Sequence, residues 1–436
     1  MRRSLGDDVH VRSVIRDVID DLASRQALSG AASVLYIALF VGGWWWWVRR
    51  IHVRRRAVAT AVLVTGSRGK SSTVRALHAA LSATGRATYA KTTGTAAAEI
   101  DVKGRETPTK RVGQVTILEV LRIMHKALSN GDKPDALVFE CMAVRPNLIA
   151  VLANDMLKPD IAIVTNAQVD HLEDEGSSLE EIARAMSEAI TPGSLAITGE
   201  RRTEPLTVIR TVAELRGAQL VEATEEHLPP DWSTRLPYVH PQNITFVLNV
   251  TRSLGIDDET AINGMAMATK EPGEFEIWRR LVGDIDVTYA DFGAINDPQS
   301  MLSALQGFDW PLARSSPRIA LLIGRWDRPY RDLSFIGGID RETFDGVIVS
   351  GGPVRMVRDE LVRSGWPIDR VVPSSAIDLW EPWRNRRLRT LIRSIDASTS
   401  TAMLVAFQNE HEFLADRFRT FFHQGKLIRD RVNGDQ

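Results

Sequence analysis

A chain of 436 residues is too long for one ordinary domain and points to two or three. With 44% hydrophobic and 25% charged residues it can bury a full core, and a net charge of −1 gives no general attraction to nucleic acid. The single cysteine, Cys141, excludes an intrachain disulfide and fits a reducing compartment; at the end of an apolar strand it reads as a buried, inert thiol.

Residues 1–26 mix Arg and Asp with Val9, Val11, Val14, Ile15, Val18, Ile19 and Leu22 at mostly helical spacing. That pattern predicts an amphipathic segment whose apolar side meets lipid or a partner. From Ala27 to Val48 there are 22 residues without a charge, long enough as a helix to cross a hydrocarbon core of about 30 Å. The tract ends in Trp44, Trp45, Trp46 and Trp47, then Arg49, Arg50, Arg54, Arg55 and Arg56. Indoles favour the membrane interface and arginines its cytoplasmic side, so the order predicts a single-pass anchor at the cell membrane with all that follows in the cytoplasm. A cleaved signal peptide would carry small residues where the tryptophans stand. An interfacial or re-entrant helix is the competing reading.

The stretch from Ala57 to Leu81, AVATAVLVTGSRGKSSTVRALHAAL, reads as strand, glycine turn and amphipathic helix. Such a turn aims backbone N–H groups and a positive helix end at one anion, with Lys70 adding charge and Ser71 a hydroxyl suited to Mg²⁺. It departs from the full P-loop pattern because Val64 stands where the first glycine belongs. Next come a β-like segment up to Gly94, a turn at Gly104 to Pro108, a helical pattern over QVTILEVLRIMHKAL and two buried strands, one ending in Glu140 and one at Ile161 to Thr165. Alternating strands and helices predict a doubly wound parallel sheet, whose ligands bind beyond the carboxyl ends of the strands. Glu140 and the pair Asp170 and His171 fall at such ends; Glu140 is placed to hold Mg²⁺ opposite a phosphate loop, a helix-capping or surface glutamate being the alternative.

In the last third, EPGEFE reads as a linker from Glu271, and strands at Asp286 to Phe292, Arg318 to Ile323, Gly346 to Ser350 and Ala402 to Phe407 alternate with helices. This predicts a second doubly wound sheet that closes over a nucleotide. GRWDRPYRD carries Arg325, Arg328 and Arg331, suited to an acidic substrate or to a solvated loop, and RNRRLRTLIR reads as a solvated basic face.

TGSRGKSS, KTTGT at Lys91 to Thr95, Glu140, TNAQVDHLED from Thr165, HPQN at His240 followed by LGI, and DFGAINDP from Asp291 occur in the order found in the Mur-type ATP-dependent amide ligases, which the chain resembles from about Val58 onward. Within that superfamily, SRGKSS, the anchor before the nucleotide domain and AINDP look most like the ligase subunits of poly-γ-glutamate (capsule) synthases. The resemblance implies an α/β architecture: transmembrane helix 27–48, a central P-loop ATPase domain over 57–270 and a C-terminal Rossmann-like domain over 271–436. It implies ATP and Mg²⁺, with Gly66, Arg68, Gly69, Lys70, Ser71 and Ser72 at the phosphates, Ser71, Glu140 and His171 at the metal, and Lys70, Glu140 and His171 in catalysis. Thr93 and Thr95 would lie by the reacting phosphate, Asn243 near adenine and Asp291 at the ribose. Glutamate, the growing poly-γ-glutamate chain and membrane-embedded synthase or export subunits are the implied partners, with self-association open. Two departures stand out: no lysine occurs between Lys158 and Lys270 to be carbamoylated for a second Mg²⁺, and Glu274 replaces an expected arginine, with Arg279 and Arg280 nearby. Another Mur-type amino-acid ligase, for folate or a peptidoglycan precursor, and a membrane-tethered NTPase that forms no bond are the alternative functions.

Overall fold

The computed structural model describes residues 32–93, 97–109, 116–129, 133–168, 178–236, 239–268, 276–292, 295, 301, 305, 311–312, 314–324, 332–333, 335–373, 386–407 and 413–429. Its contacts divide the chain into two compact units.

The smaller unit holds helix α1, residues 32–55, and helix α3, Leu118–Ser129. The Trp47 and His125 rings lie 5.6 Å apart, and Arg54 donates to the Ser129 hydroxyl. α1 bears on the predicted anchor. Residues 1–31, including the amphipathic segment and the first five residues of the span, lie outside the described residues. Among the described residues no helix is long and apolar enough to cross a membrane. Of the expected span the described residues hold Ala32 to Val48, and α1 continues past it into the arginines. The apolar run of that span is nonetheless bare, with Leu39 67% and Phe40 65% exposed.

The larger unit contains two sheets. The first comprises β1 (Thr60–Thr65), β2 (Thr88–Lys91), β3 (Ala98–Ile100), β4 (Glu106–Pro108), β5 (Ala136–Glu140), β6 (Ile161–Val164), β7 (Leu195–Thr198) and β8 (Gln219–Glu222), in the order β4-β3-β2-β5-β1-β6-β7-β8. β2, β5, β1, β6, β7 and β8 are parallel as expected; β3 and β4 form an antiparallel edge, so the sheet is mixed, and the turn expected at Gly104 to Pro108 is a hairpin. Strands this short lie within the reach of tight turns, which permit antiparallel pairing. Helices α2 (Lys70–Ala83), α6 (Pro241–Ser253) and α7 (Asp258–Ala266) share one core with β1 and β5, and α4 (Leu179–Ser187) and α5 (Thr203–Leu215) another with β6 and β7. Both faces are covered, which is why β1 reads as an unbroken apolar run and is buried throughout.

The second sheet comprises β9 (Glu276–Val282), β10 (Ile285–Phe292), β11 (Arg318–Gly324), β12 (Gly346–Gly351), β13 (Val371–Pro373), β14 (Thr401–Phe407) and β15 (Lys426–Arg429), in the order β13-β12-β11-β14-β10-β9-β15. The four expected strands are present. β9 and β15 add an antiparallel edge, β9 starting at Glu276, the last residue of the expected linker. Helices α8 (Val354–Arg363), α9 (Arg386–Ile395) and α10 (Phe413–Phe422) accompany it. The basic stretch in α9 is amphipathic: Leu388, Leu391 and Ile392 are buried, and Arg393 pairs with Asp284 at 2.6 Å.

Candidate active site

β1 lies between β5 and β6, where successive connections leave the first strand in opposite directions, so the crevice of this fold opens at the carboxyl ends of these three strands. The glycine loop leaves β1 there. Gly66 has φ of +123°, and a Cβ on it would fall on the Thr165 hydroxyl and 2.8 Å from the Thr165 nitrogen, so no other residue fits. Gly69 caps α2 in the left-handed region at φ of +82° and offers no side chain to the first-turn N–H groups. Those groups and the helix dipole stay directed at the loop mouth.

The loop is held from the β6 side. Ser67 N donates to the Asn166 carbonyl at 3.0 Å, Arg68 N to Asn166 Oδ1 at 3.0 Å, and the Ser67 hydroxyl to the Gln168 carbonyl at 2.7 Å while accepting from Gln168 N at 2.8 Å. Lys70 Nζ folds back over the loop, donating to the Gly66 carbonyl and, at 3.2 Å, to that of Ser67. Asn243 supports it from behind: the Thr73 hydroxyl sits 2.7 Å from the Gly69 carbonyl and 3.3 Å from Asn243 Oδ1. The HPQN motif has a structural explanation here. His240 caps α6 by accepting from Gln242 N at 3.2 Å, partial desolvation favouring its neutral form, Pro241 occupies the first helical position, and Gln242 donates to the Gly199 carbonyl at 2.7 Å.

Glu140 ends β5 opposite Val64 and is only 3% exposed. Its Oε2 accepts from the Ser71 hydroxyl at 2.8 Å and from Thr93 N at 2.7 Å. Strand β5 and the start of α2 thus bring a carboxylate and a hydroxyl together, with the Thr92–Thr93 corner fixed by bonds between Thr92 and Ala98. These are hard oxygen donors of the kind Mg²⁺ takes. Among the described residues no group of three or more His, Cys, Asp or Glu could hold a metal by itself, so the donor set fits an ion shared with phosphate oxygens and water. Cys141 follows as a buried thiol, pushed up to about 11 by burial, as the expected inert group.

Sequence reasoning missed the Asn166 and Gln168 contacts and a second acid at a strand end. Glu200, beyond β7, accepts from Ala167 N at 2.9 Å, from Arg201 N and Arg202 N at 3.0 Å each, and from the Arg202 guanidinium. Its position after an apolar strand is the signal that marked Glu140. Burial raises the Glu200 carboxyl, but the Arg202 side chain and these N–H donors outweigh it and hold it below the usual range. Stability from this group is therefore complete above the unfolded value near 4.5 and is lost as pH falls through the lower folded value. Melting temperatures from pH 6 to pH 3 should show native protein above Glu200→Gln at pH 6 and the gap narrowing toward acid; a constant gap would remove Glu200 from the clamp.

The structure brings together Gly66, Arg68, Gly69, Lys70, Ser71, Thr93, Glu140 and Asn243, with Ser72 half-buried in the first turn of α2. His171 and its neighbour Asp170, Thr95, Glu274, Arg325, Arg328 and Arg331 lie outside the described residues. Asp291 stands near the carboxyl end of β10, 2% exposed, with Arg419 Nε donating to its Oδ2 at 2.7 Å. Arg279 and Arg280, considered in place of the missing arginine, are committed within the second sheet. Arg279 lies 3.8 Å from Asp286, and Arg280 donates to the Phe421 carbonyl and covers the Phe421 ring.

Residues 64–198 match the Mur ligase middle domain family and residues 281–424 match the poly-gamma-glutamate synthase CapB C-terminal domain. The capsule biosynthesis protein CapB of Bacillus anthracis is 31% identical over 265 residues, 60% of this chain and 56% of that protein. The PGA synthase CapB of Bacillus subtilis (strain 168) is 32% identical over 252 residues, 57% of this chain and 63% of that protein. The matches thus span about three fifths of the curated relatives' length. Among solved structures, the bifunctional folylpolyglutamate synthase/dihydrofolate synthase of Yersinia pestis, complexed with AMPPNP and Mn ion, aligns with a TM-score of 0.59 at 18% identity over 86% of this chain and 93% of its own, a likeness of fold. Residues 64–198 are thus of the Mur ligase middle domain type and residues 281–424 of the CapB C-terminal domain type.

Proposed function

We propose that this protein is an ATP-dependent amide ligase that lengthens poly-γ-glutamate. The observation that carries the reading is the meeting of Ser71 and Thr93 on Glu140 beside the loop containing Lys70. A carboxylate is a poor electrophile, so a γ-carboxylate oxygen of the chain attacks the ATP γ-phosphorus and ADP leaves. The amine of the incoming glutamate then attacks the resulting acyl phosphate, losing a proton as phosphate departs. Such transfer needs positioning and charge neutralisation more than covalent help from the protein. Gly66, Arg68 and Gly69 shape the phosphate cradle, Lys70 supplies a fixed cation, and Ser71 with Glu140, joined by His171, would hold Mg²⁺. When bound, the ion neutralises phosphate charge. Asn243 and Asp291 serve adenine and ribose, and Thr95, Arg325 and Arg328 serve the reacting phosphate and the acidic substrate.

The exposed apolar run of α1, followed by Arg49 and Arg50 above the Trp45 and Trp46 rings at 5.2 Å each, supports seating at the cytoplasmic membrane next to synthase or export subunits. In the decisive experiment the purified full chain is given Mg²⁺, ATP and a panel of amino acids with poly-γ-glutamate, folate or peptidoglycan-precursor acceptors. ADP release should require glutamate and the polymer; release without any amino acid favours the NTPase, and release with another acceptor favours the other ligases. The same chain should sediment with anionic phospholipid vesicles, and Leu39→Glu with Phe40→Glu should free it; sedimentation unchanged by that pair would remove the membrane seat.

A further inference from the structure

Arg419 on α10 and His423 just beyond its last residue lie about one turn apart, and the sheet beneath offers two acids directly opposite each other, Asp291 on β10 and Glu276 on β9. Arg419 Nε lies 2.7 Å from Asp291 Oδ2, with side chains 9% and 3% exposed. One turn on, His423 Nε2 stands 3.3 Å from Glu276 Oε2, which also accepts from Trp278 Nε1 at 3.0 Å, and the His423 ring stacks on Trp278 at 4.4 Å. Packing alone does not call for the buried pair. Phe418, Phe421 and Phe422 already bury α10 in the core of the second sheet, whereas taking a guanidinium and a carboxylate out of water is costly. What the pair provides is orientation, since a guanidinium donor fixes a carboxylate more tightly than solvent does.

We infer that Arg419 is a positioning residue for Asp291, holding its carboxylate at the carboxyl end of β10 as an acceptor for the hydroxyl groups of a nucleotide sugar. This rests on the nucleotide reading above. A carboxylate accepts and does not donate, so it selects hydroxyl donors and repels phosphate or a second carboxylate. Arg419 therefore acts on the sugar end of the nucleotide and leaves the phosphate end to the glycine loop.

The test measures binding of ATP and of 2′,3′-dideoxy-ATP, each with Mg²⁺, by the full chain. Native protein should prefer ATP by about tenfold, the scale of one hydrogen bond to a charged group. Arg419→Met and Asp291→Asn should each bring that ratio close to one by weakening ATP alone. Because the ratio is internal, it does not depend on the fraction of protein folded. If Arg419→Met does not fold, Arg419→Lys is read the same way, a fall in the ratio supporting the inference. Equal weakening of both nucleotides in the Arg419 variants, or an unchanged ratio, overturns it. Lys70→Ala separates the two levels: it should weaken both nucleotides alike, and undiminished ATP binding there defeats the nucleotide reading itself.

Discussion

Lys70→Ala should lower glutamate-dependent ADP release by about 10²–10³-fold or more, the cost of removing one preorganised charge from a site where charge develops. The Nζ group already lies over the loop mouth on the Gly66 and Ser67 carbonyls, so reaching a phosphate requires a change of partner within one loop and no refolding. Lys70 is half-buried and packs in no core cluster, so the variant should melt within a degree or two of native protein. Turnover and melting temperature measured together check this. Full turnover in the variant would remove the loop from the chemistry.

Gly66→Ala should do the reverse and fail first as a fold. The added methyl meets the Thr165 hydroxyl and backbone nitrogen, and alanine is strained at φ of +123°. Thr165 cannot withdraw, because its nitrogen donates to the Thr65 carbonyl at 2.9 Å within the pairing of β1 and β6. Strain of this kind costs about 1–3 kcal/mol before the clash is counted, and the melting temperature should fall by roughly 5 °C or more. Nucleotide binding should fall with it, since the same movement displaces the Ser67 and Arg68 amides. A variant that melts like native protein would show that the loop has another conformation.

Much of this architecture was legible in the sequence because its signals are local. An unbroken apolar run predicted β1, glycine before lysine and serine predicted the loop and α2, and Glu140 after an apolar run predicted an acid at a strand end. The strands at or next to the sheet edges, β3, β4, β7, β8, β9, β13 and β15, were not legible. Such short or half-exposed segments carry no long apolar period, and their partners decide their state.

The sequence by itself determined the order of strand, loop and helix, the residue types able to meet a phosphate and a metal, and the presence of two sheet-forming halves, since backbone preference and side-chain chemistry act within a few residues. Only the tertiary structure decided that Ser71 and Thr93 share one oxygen of Glu140, that Asn166 and Gln168 brace the loop from beyond β6 while Glu200 holds Ala167 from beyond β7, and that Arg419 reaches back to Asp291. Those contacts join residues up to 128 positions apart, brought together by sheet register and helix packing, which no local pattern encodes.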